Sequence, residues 1–431
     1  MDIDIKEDTM KISLCIICKN EEKYISHCIN SVKAVVDEIV VVDTGSEDET
    51  ITIAKQQGAI VFETLWEKDF AKARNYALDK ATGEWIVFLD ADEYFTNESI
   101  QNIRAAIIEA EKKNKECLIC EMINEDSTGI RSILKTIRIF KSSSEIRYKG
   151  KIHERILNNG KELSSLDVEK KITIIHTGYA QEVIIEKNKI QRNIELLLEE
   201  LEEDPTNSVV CYYLMQSYNQ KEDIQKMWEY GMKALEYDNF TMRDAKIGTY
   251  ERIIRACLLG EKSLEIAHKF YCDAVKLDEF YPDFDFRYGE YLYHMQHYGE
   301  CVKYLELSIE KSEAYRGSTI SSVEGKRLAI LEMLGTSYLK QDKYEDVVPV
   351  LVKILYIDPY RLDSLYNLIN ILIKTETAES IGAFLGKLYD YNNLKNQMLL
   401  LQLSSKMNQI DLYNYILQFA DERVKKQLHI K

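Results

Sequence analysis

The chain has 431 residues, with 56 Lys and Arg against 72 Asp and Glu, a formal net charge of −16. That balance disfavours general nucleic-acid binding, which needs a basic footprint, and offers no broad attraction to anionic membrane. The length predicts two domains, each able to bury its own core.

The opening segment, MDIDIKEDTM, is acidic and has no apolar h-region, so no signal peptide is expected. No apolar run approaches the ~20 residues of a membrane span. Nine cysteines, an odd count, suit a reducing compartment, and a cytoplasmic location is expected. Cys15 with Cys18, and Cys117 with Cys120, have the spacing of metal-binding pairs. Both pairs lie in strand-like apolar runs, where positions i and i+3 face opposite sides, so they read as small buried hydrophobes.

Ile12 to Ile17 is an apolar run read as a strand. Asn20 is read as the cap of a helix carrying Tyr24, Ile25, Cys28, Ile29 and Val32 on one face. Glu38 to Val42 is a second strand ending at Asp43. Ser46 and Glu49 have the spacing of a capping box opening a helix to about Gln57, with Gly58 just past its end. Ala59 to Phe62 reads as a strand and Phe70 to Ala81 as a helix broken by Gly83. Alternating strands and helices predict a parallel sheet, whose ligands sit beyond the carboxyl ends of the strands. Asn20, Asp43 and Asp90 all fall just past such ends.

The run Trp85-Ile86-Val87-Phe88-Leu89 ends abruptly in Asp90-Ala91-Asp92-Glu93. Folding does not need carboxylates at the mouth of a central strand, because like charges there repel and lose hydration. A divalent cation resolves that conflict, and hard oxygen ligands suit Mg²⁺ or Mn²⁺ held with substrate phosphates. The first strand–helix turn, Cys18 to Glu22, contains no glycine. That argues against a dinucleotide fingerprint or a P-loop. Phosphate would have to be bound by metal and side chains.

The strings SLCIICKNEE, EIVVVDTGSEDET, DFAKARNYAL and WIVFLDADE, in this order and spacing, resemble a family 2 glycosyltransferase of the GT-A fold. KGKIHE (Lys149 to Glu154) and IIHTGY (Ile175 to Tyr179) extend the likeness, which covers residues 11 to about 186. With the helical tail, the layout is similar to the glycocin S-glycosyltransferases of the sublancin and thurandacin type. The same layout occurs in lipopolysaccharide-core and other bacterial sugar transferases. The resemblance implies an α/β GT-A domain, a Rossmann-like mixed sheet over residues 1–186, followed by an all-α repeat domain over 187–431. It also implies roles for particular residues. Asp43, with Gly45 beside it, would meet the uracil ring, and Arg74 the base and phosphates. Asn20 and Glu21 would touch the nucleotide, and Asp90 the ribose or the surroundings of the metal. Asp92 would ligate the metal, and His176 would complete its site. Glu154 is the first choice for the base that accepts the acceptor's proton, and His153 the second.

Past residue 187 the sequence is almost entirely helical. Asp204-Pro205 and Tyr237-Asp238 stand about 34 residues apart, the period of a tetratricopeptide-like (TPR-like) unit. Lys326 to Pro359, with Gly335, Tyr338 and Tyr344, reads as another, and the stretch between them as degenerate repeats. Such arrays form curved surfaces for peptide or protein contacts, and a homodimer through them is the competing reading. The 28 tyrosines read mostly as repeat packing.

The expectation is therefore an inverting, metal-dependent transferase. It would move a hexose from a uridine diphosphate (UDP) sugar, UDP-glucose in the first instance, to a Cys or Ser of a ribosomal bacteriocin precursor peptide. A lipopolysaccharide or cell-surface polysaccharide transferase is the alternative. A non-catalytic TPR scaffold with a relic transferase domain is the alternative of another class.

Overall fold

In the computed structural model the described residues are 10–126, 129–169, 171–177, 183–317, 319 and 321–428. The first nine residues, and Gly178 and Tyr179 of the IIHTGY string, lie outside them. The chain divides into two compact units, Met1–Pro205 and Thr206–Lys431.

In the first unit, β1 (Ile12–Cys18) is buried at all seven positions, as a strand covered on both faces must be. It pairs in parallel with β2 (Glu38–Asp43) on one side and β4 (Trp85–Asp90) on the other. β3 (Ile60–Glu63) extends the parallel set beyond β2. The carboxyl ends coincide, because Cys18 is in register with Asp43 and Ile17 with Asp90. β6 (Cys117–Asp126) and β7 (Gly129–Lys141) form a long antiparallel pair, and β7 runs antiparallel to β4. β11 (Thr173–His176) joins β6 in parallel and β5 (Glu93–Phe95) joins β11 antiparallel. The order is β3-β2-β1-β4-β7-β6-β11-β5, and β10 (Ser165–Asp167) pairs with β6 off that path. This mixed nine-stranded sheet is the expected GT-A-like α/β architecture.

Helices α1 (Ile25–Val32), α2 (Thr50–Gln56) and α4 (Asn97–Lys112) pack apolar residues on one face of the sheet. α3 (Phe70–Lys80) packs Ala71, Ala77 and Leu78 on the other, beside the hairpin of β8 (Ile146–Lys149) and β9 (Arg155–Asn158). Cys15 and Cys117 belong to the core under α3, Cys18 and Cys120 to the opposite core. Each pair is split by the sheet and cannot share an ion.

Two local expectations need correction. Asn20 does not cap α1, whose first residues follow Tyr24 with no side-chain cap. Its backbone is left-handed, with φ 58°, and its Oδ1 accepts from Glu47 N at 2.8 Å. Ser46 and Glu49 do not form a capping box, because Ser46 Oγ is taken by Asp43 and by Asn20 N. Asp48 accepts from Thr50 N at 3.0 Å instead, and α2 starts at Thr50. Contacts between two loops outcompeted the local caps.

α5 (Val183–Glu203) closes the first unit, so the expected boundary at 186 to 187 falls inside a helix of that unit. Lys68 and Glu199 pair at 2.9 Å, and Lys151 N donates to Glu200 at 3.2 Å.

The second unit is a run of antiparallel helix pairs. α6 (Ser208–Gln220) packs on α7 (Ile224–Tyr237), α8 (Arg243–Leu259) on α9 (Leu264–Leu277), and α10 (Pro282–His294) on α11 (Tyr298–Ala314). α12 (Arg327–Leu339) and α13 (Tyr344–Ile357) follow as the next pair. The array is TPR-like and continuous through the stretch that reads as degenerate. Its tyrosines pack the helices together. Tyr271 stacks on Tyr288 at 4.6 Å, and Tyr304 meets Tyr288 edge-on at 4.8 Å. Among the described residues no helix is long and apolar enough to cross a membrane.

Candidate active site

A cleft of about 830 Å³ opens at the carboxyl ends of β1, β2 and β4. Ile17, Cys18, Thr44 and Asp90 line it from those strand ends, Phe70 and Arg74 from α3, and Arg192 and Asn193 from α5. Of the sequence-predicted residues, Glu21, Arg74, Asp90, Asp92, His153, Glu154 and His176 face it together.

Arg74 is buried, and its guanidinium lies 4.8 Å from the Phe88 ring and 5.4 Å from the Tyr148 ring. Nε donates to Glu154 Oε1 at 2.5 Å and Nη2 to Asp90 Oδ1 at 2.8 Å. Nη1 is buried without a hydrogen-bond partner among the described residues. Arg138, on β7, holds the other side of Asp90 at 3.3 Å and Glu93 through two hydrogen bonds, 2.7 and 2.6 Å. Asp90 is thus clamped between two guanidinium groups. Burial alone would raise its carboxyl, but Arg74 and Arg138 outweigh burial and hold it below the usual range. Burial pushes the Glu93 carboxyl up against the pull of Arg138.

At the other end, His176 Nε2 lies 3.3 Å from Asp92 Oδ2. His176 Nδ1 is 2.8 Å from the amide oxygen of buried Asn124, and Nε2 is directed at Asp92. Burial opposes charging of this imidazole, but the Asp92 contact raises its pKa. Glu21 faces the same acids. Burial and then Asp92 push its carboxyl up to about 7, with Lys189 opposing.

A divalent cation fits this end of the cleft. Two cis ligands on an octahedral ion with ~2.1 Å bonds lie ~3 Å apart, and Asp92 Oδ2 and His176 Nε2 have nearly that separation. Among the described residues no group of three or more His, Cys, Asp or Glu is placed around one point. The remaining ligands would be phosphate oxygens and water, as is usual for such ions.

Asn20, Asp43 and Gly45 are absent from the described lining, with Asp43 buried and the other two exposed. Asp43 Oδ1 accepts from Gly45 N at 2.9 Å and Ser46 N at 2.8 Å. Oδ2 accepts from Ser46 Oγ at 2.5 Å and from the Cys18 thiol at 3.6 Å. Gly45 has φ 106°, a left-handed conformation that favours glycine. Thr44 is the residue of this turn that reaches the cleft.

Sequence reasoning missed Arg138, Glu93, Asn124 and Arg192. Arg138 is one of four basic residues on β7, so its burial against Glu93 and Asp90 was not legible locally. Nothing local marks Asn124 or Arg192.

Residues 13–156, which include the strands β1, β2 and β4 whose ends carry the cleft, match the Glycosyl transferase family 2 model. Individual relatives extend the likeness into the helices. A TPR repeat-containing protein of Synechococcus elongatus is 31% identical over 208 residues, 47% of this chain and 50% of that one. The glycosyltransferase SunS of Bacillus phage SPbeta is 28% identical over 281 residues, 64% of this chain and 65% of that one. The chain thus spans about half to two thirds of the length of these two relatives. A glycosyltransferase of Rickettsia felis is 43% identical over 88 residues, 20% of this chain and 31% of that one.

Proposed function

We propose that this chain is an inverting, divalent-cation-dependent glycosyltransferase. It takes a hexose from a UDP-sugar, in the first instance UDP-glucose, and places it on a Cys or Ser side chain of a ribosomally made precursor peptide. The observation that carries this reading is one cleft holding two arrangements: Asp92 with His176, and Glu154 with Arg74. The peptide acceptor rests on the motif layout and on the match to SunS, which runs beyond the transferase domain into the repeats.

Asp92 and His176 would hold the cation, Mg²⁺ or Mn²⁺. When bound, it supplies Lewis-acid stabilisation of the departing diphosphate. Asn124, at His176 Nδ1, would orient the ring with Nε2 toward Asp92 and the cation. Glu154 acts as base. Its Oε1 is held by Arg74, and Oε2 takes no hydrogen bond among the described residues. The acceptor sulfur or oxygen forms its bond to the anomeric carbon as the bond to the diphosphate breaks, and its proton passes to Oε2. Arg138 holds Asp90 and Glu93 so that their charges stay in register with the cleft.

Incubation of the full chain with UDP-glucose, Mn²⁺ and a cysteine-containing precursor peptide should add a hexose to the peptide, read by mass spectrometry. Cys-to-Ser and Cys-to-Ala peptide variants then report whether sulfur or oxygen is the nucleophile. Neither donor hydrolysis nor peptide transfer with any UDP-hexose would sink the proposal.

A further inference from the structure

The cleft is short of free positive charge. Its basic lining residues among the described ones are Lys19, Arg74, Arg138 and Arg192. Arg74 and Arg138 are committed to three carboxylates, Asp90, Glu93 and Glu154, and bring no net charge to a ligand. Glu21 and Asp92 add further negative charge to the lining. A diphosphate entering this cleft meets repulsion unless an uncommitted cation faces it.

Arg192 is such a cation. It lies on α5, beyond the residues that match the transferase family, and reaches back to the cleft wall. Its guanidinium is held 5.4 Å over the Phe70 ring, and Phe70 is itself braced edge-on by Trp66 at 4.7 Å. Nη2 donates to Asn193 Oδ1 at 3.2 Å, and no carboxylate among the described residues pairs with it. Phe70 and Asn193 fix the plane of the group while leaving its charge unanswered. Lys189 lies one turn earlier, so the two cations share a face of α5.

We propose that Arg192 binds the diphosphate of the donor nucleotide. A planar guanidinium fixed on an aromatic face presents a fork of N–H donors that matches phosphate oxygens, which a lysine ammonium does not reproduce. The proposal rests on the glycosyltransferase reading. It adds that the helix leaving the transferase sheet completes the donor site.

The test is calorimetry on the full chain with two probes, UDP and uridine, each in Mg²⁺ buffer. Arg192→Ala should weaken UDP binding about tenfold or more and leave uridine binding unchanged. Arg192→Lys should fall between wild type and Arg192→Ala. Melting temperatures should not move, because the side chain is exposed and makes no ion pair among the described residues. Unchanged UDP affinity in Arg192→Ala overturns the proposal, as does an equal loss for UDP and uridine. A raised KM for the peptide with unchanged UDP affinity also overturns it, and makes Arg192 an acceptor contact. Wild-type protein that binds neither probe overturns the glycosyltransferase reading itself, a result distinct from failure of Arg192 alone.

Discussion

Arg74 and Glu154, 80 positions apart in sequence, are joined by a 2.5 Å hydrogen bond from Nε to Oε1. The same guanidinium holds Asp90 at 2.8 Å. A single buried arginine therefore ties the candidate base to the acid motif at the end of β4. Glu154→Gln keeps the size of the side chain and removes its ability to take a proton. Turnover should fall by ~10²–10⁴-fold, while UDP affinity should change little. Calorimetry beside a coupled UDP-release assay checks both. Near-normal turnover would pass the role to His153.

The metal prediction concerns Asp92 and His176. Asp92→Asn and His176→Ala should each lower turnover by about a hundredfold. Both should also lose the gain in UDP affinity that Mn²⁺ gives the wild type. Full activity in excess chelator would remove the cation from the scheme.

Arg138 offers a stability test. It neutralises buried Glu93 and supports Asp90, so Arg138→Leu leaves a buried carboxylate without its partner. The expected loss is ~3–5 kcal/mol, read by urea unfolding. Arg138→Leu with Glu93→Leu should recover much of that loss, because the unpaired charge is then gone. A double variant no more stable than the single one would assign Arg138 to packing instead.

Glu21 has a pH signature. Its carboxyl rises from the ordinary 4.5 to about 7 in the fold, through burial and the nearby Asp92. A raised carboxyl favours the protonated form, so its stabilising contribution is complete below pH 4.5 and is lost as pH rises through 7. Glu21→Gln cannot ionise and should match wild type near pH 4.5. At pH 8 it should be more stable by ~1 kcal/mol after allowing for partial exposure, a gain of ~2–4 °C in melting temperature. Melting curves at the two pH values decide it. An equal gain at both would point to packing rather than charge.

The unit boundary makes a truncation prediction. A fragment ending at Pro205 keeps α5 with the sheet and should still hydrolyse the donor slowly, provided that it stays monodisperse. Transfer to the precursor peptide should drop sharply if the repeats position the acceptor, because remote binding energy orients the reacting atom. A fragment ending at residue 186 should lose donor binding as well, since it lacks Arg192. Equal peptide transfer by the 205-residue fragment and the full chain would free the repeats for another role.

The sequence by itself determined the periodic elements and the acid motif. Seven buried residues of β1, the α1 face of Ile25, Cys28, Ile29 and Val32, and Asp90 and Asp92 at a strand end are all set by short-range pattern. The helical repeats were legible for the same reason, since each unit repeats one local pattern. Partnership was decided only by tertiary structure. Asp43 looks like a ligand residue in the string, and in the fold its carboxylate takes three hydrogen bonds from its own turn and one from Cys18 on the neighbouring strand. Ser46 and Asn20 look like helix caps, but the adjacent loop offers them better partners. Asn124 meets His176 only because β6 and β11 pair in parallel, and Arg192 meets Phe70 only because α5 folds back over the cleft. Local spacing sets the period of a helix or a strand. A buried charge or amide is satisfied by whichever group the packed sheet brings within 3 Å or so, and that choice is written in distant parts of the chain.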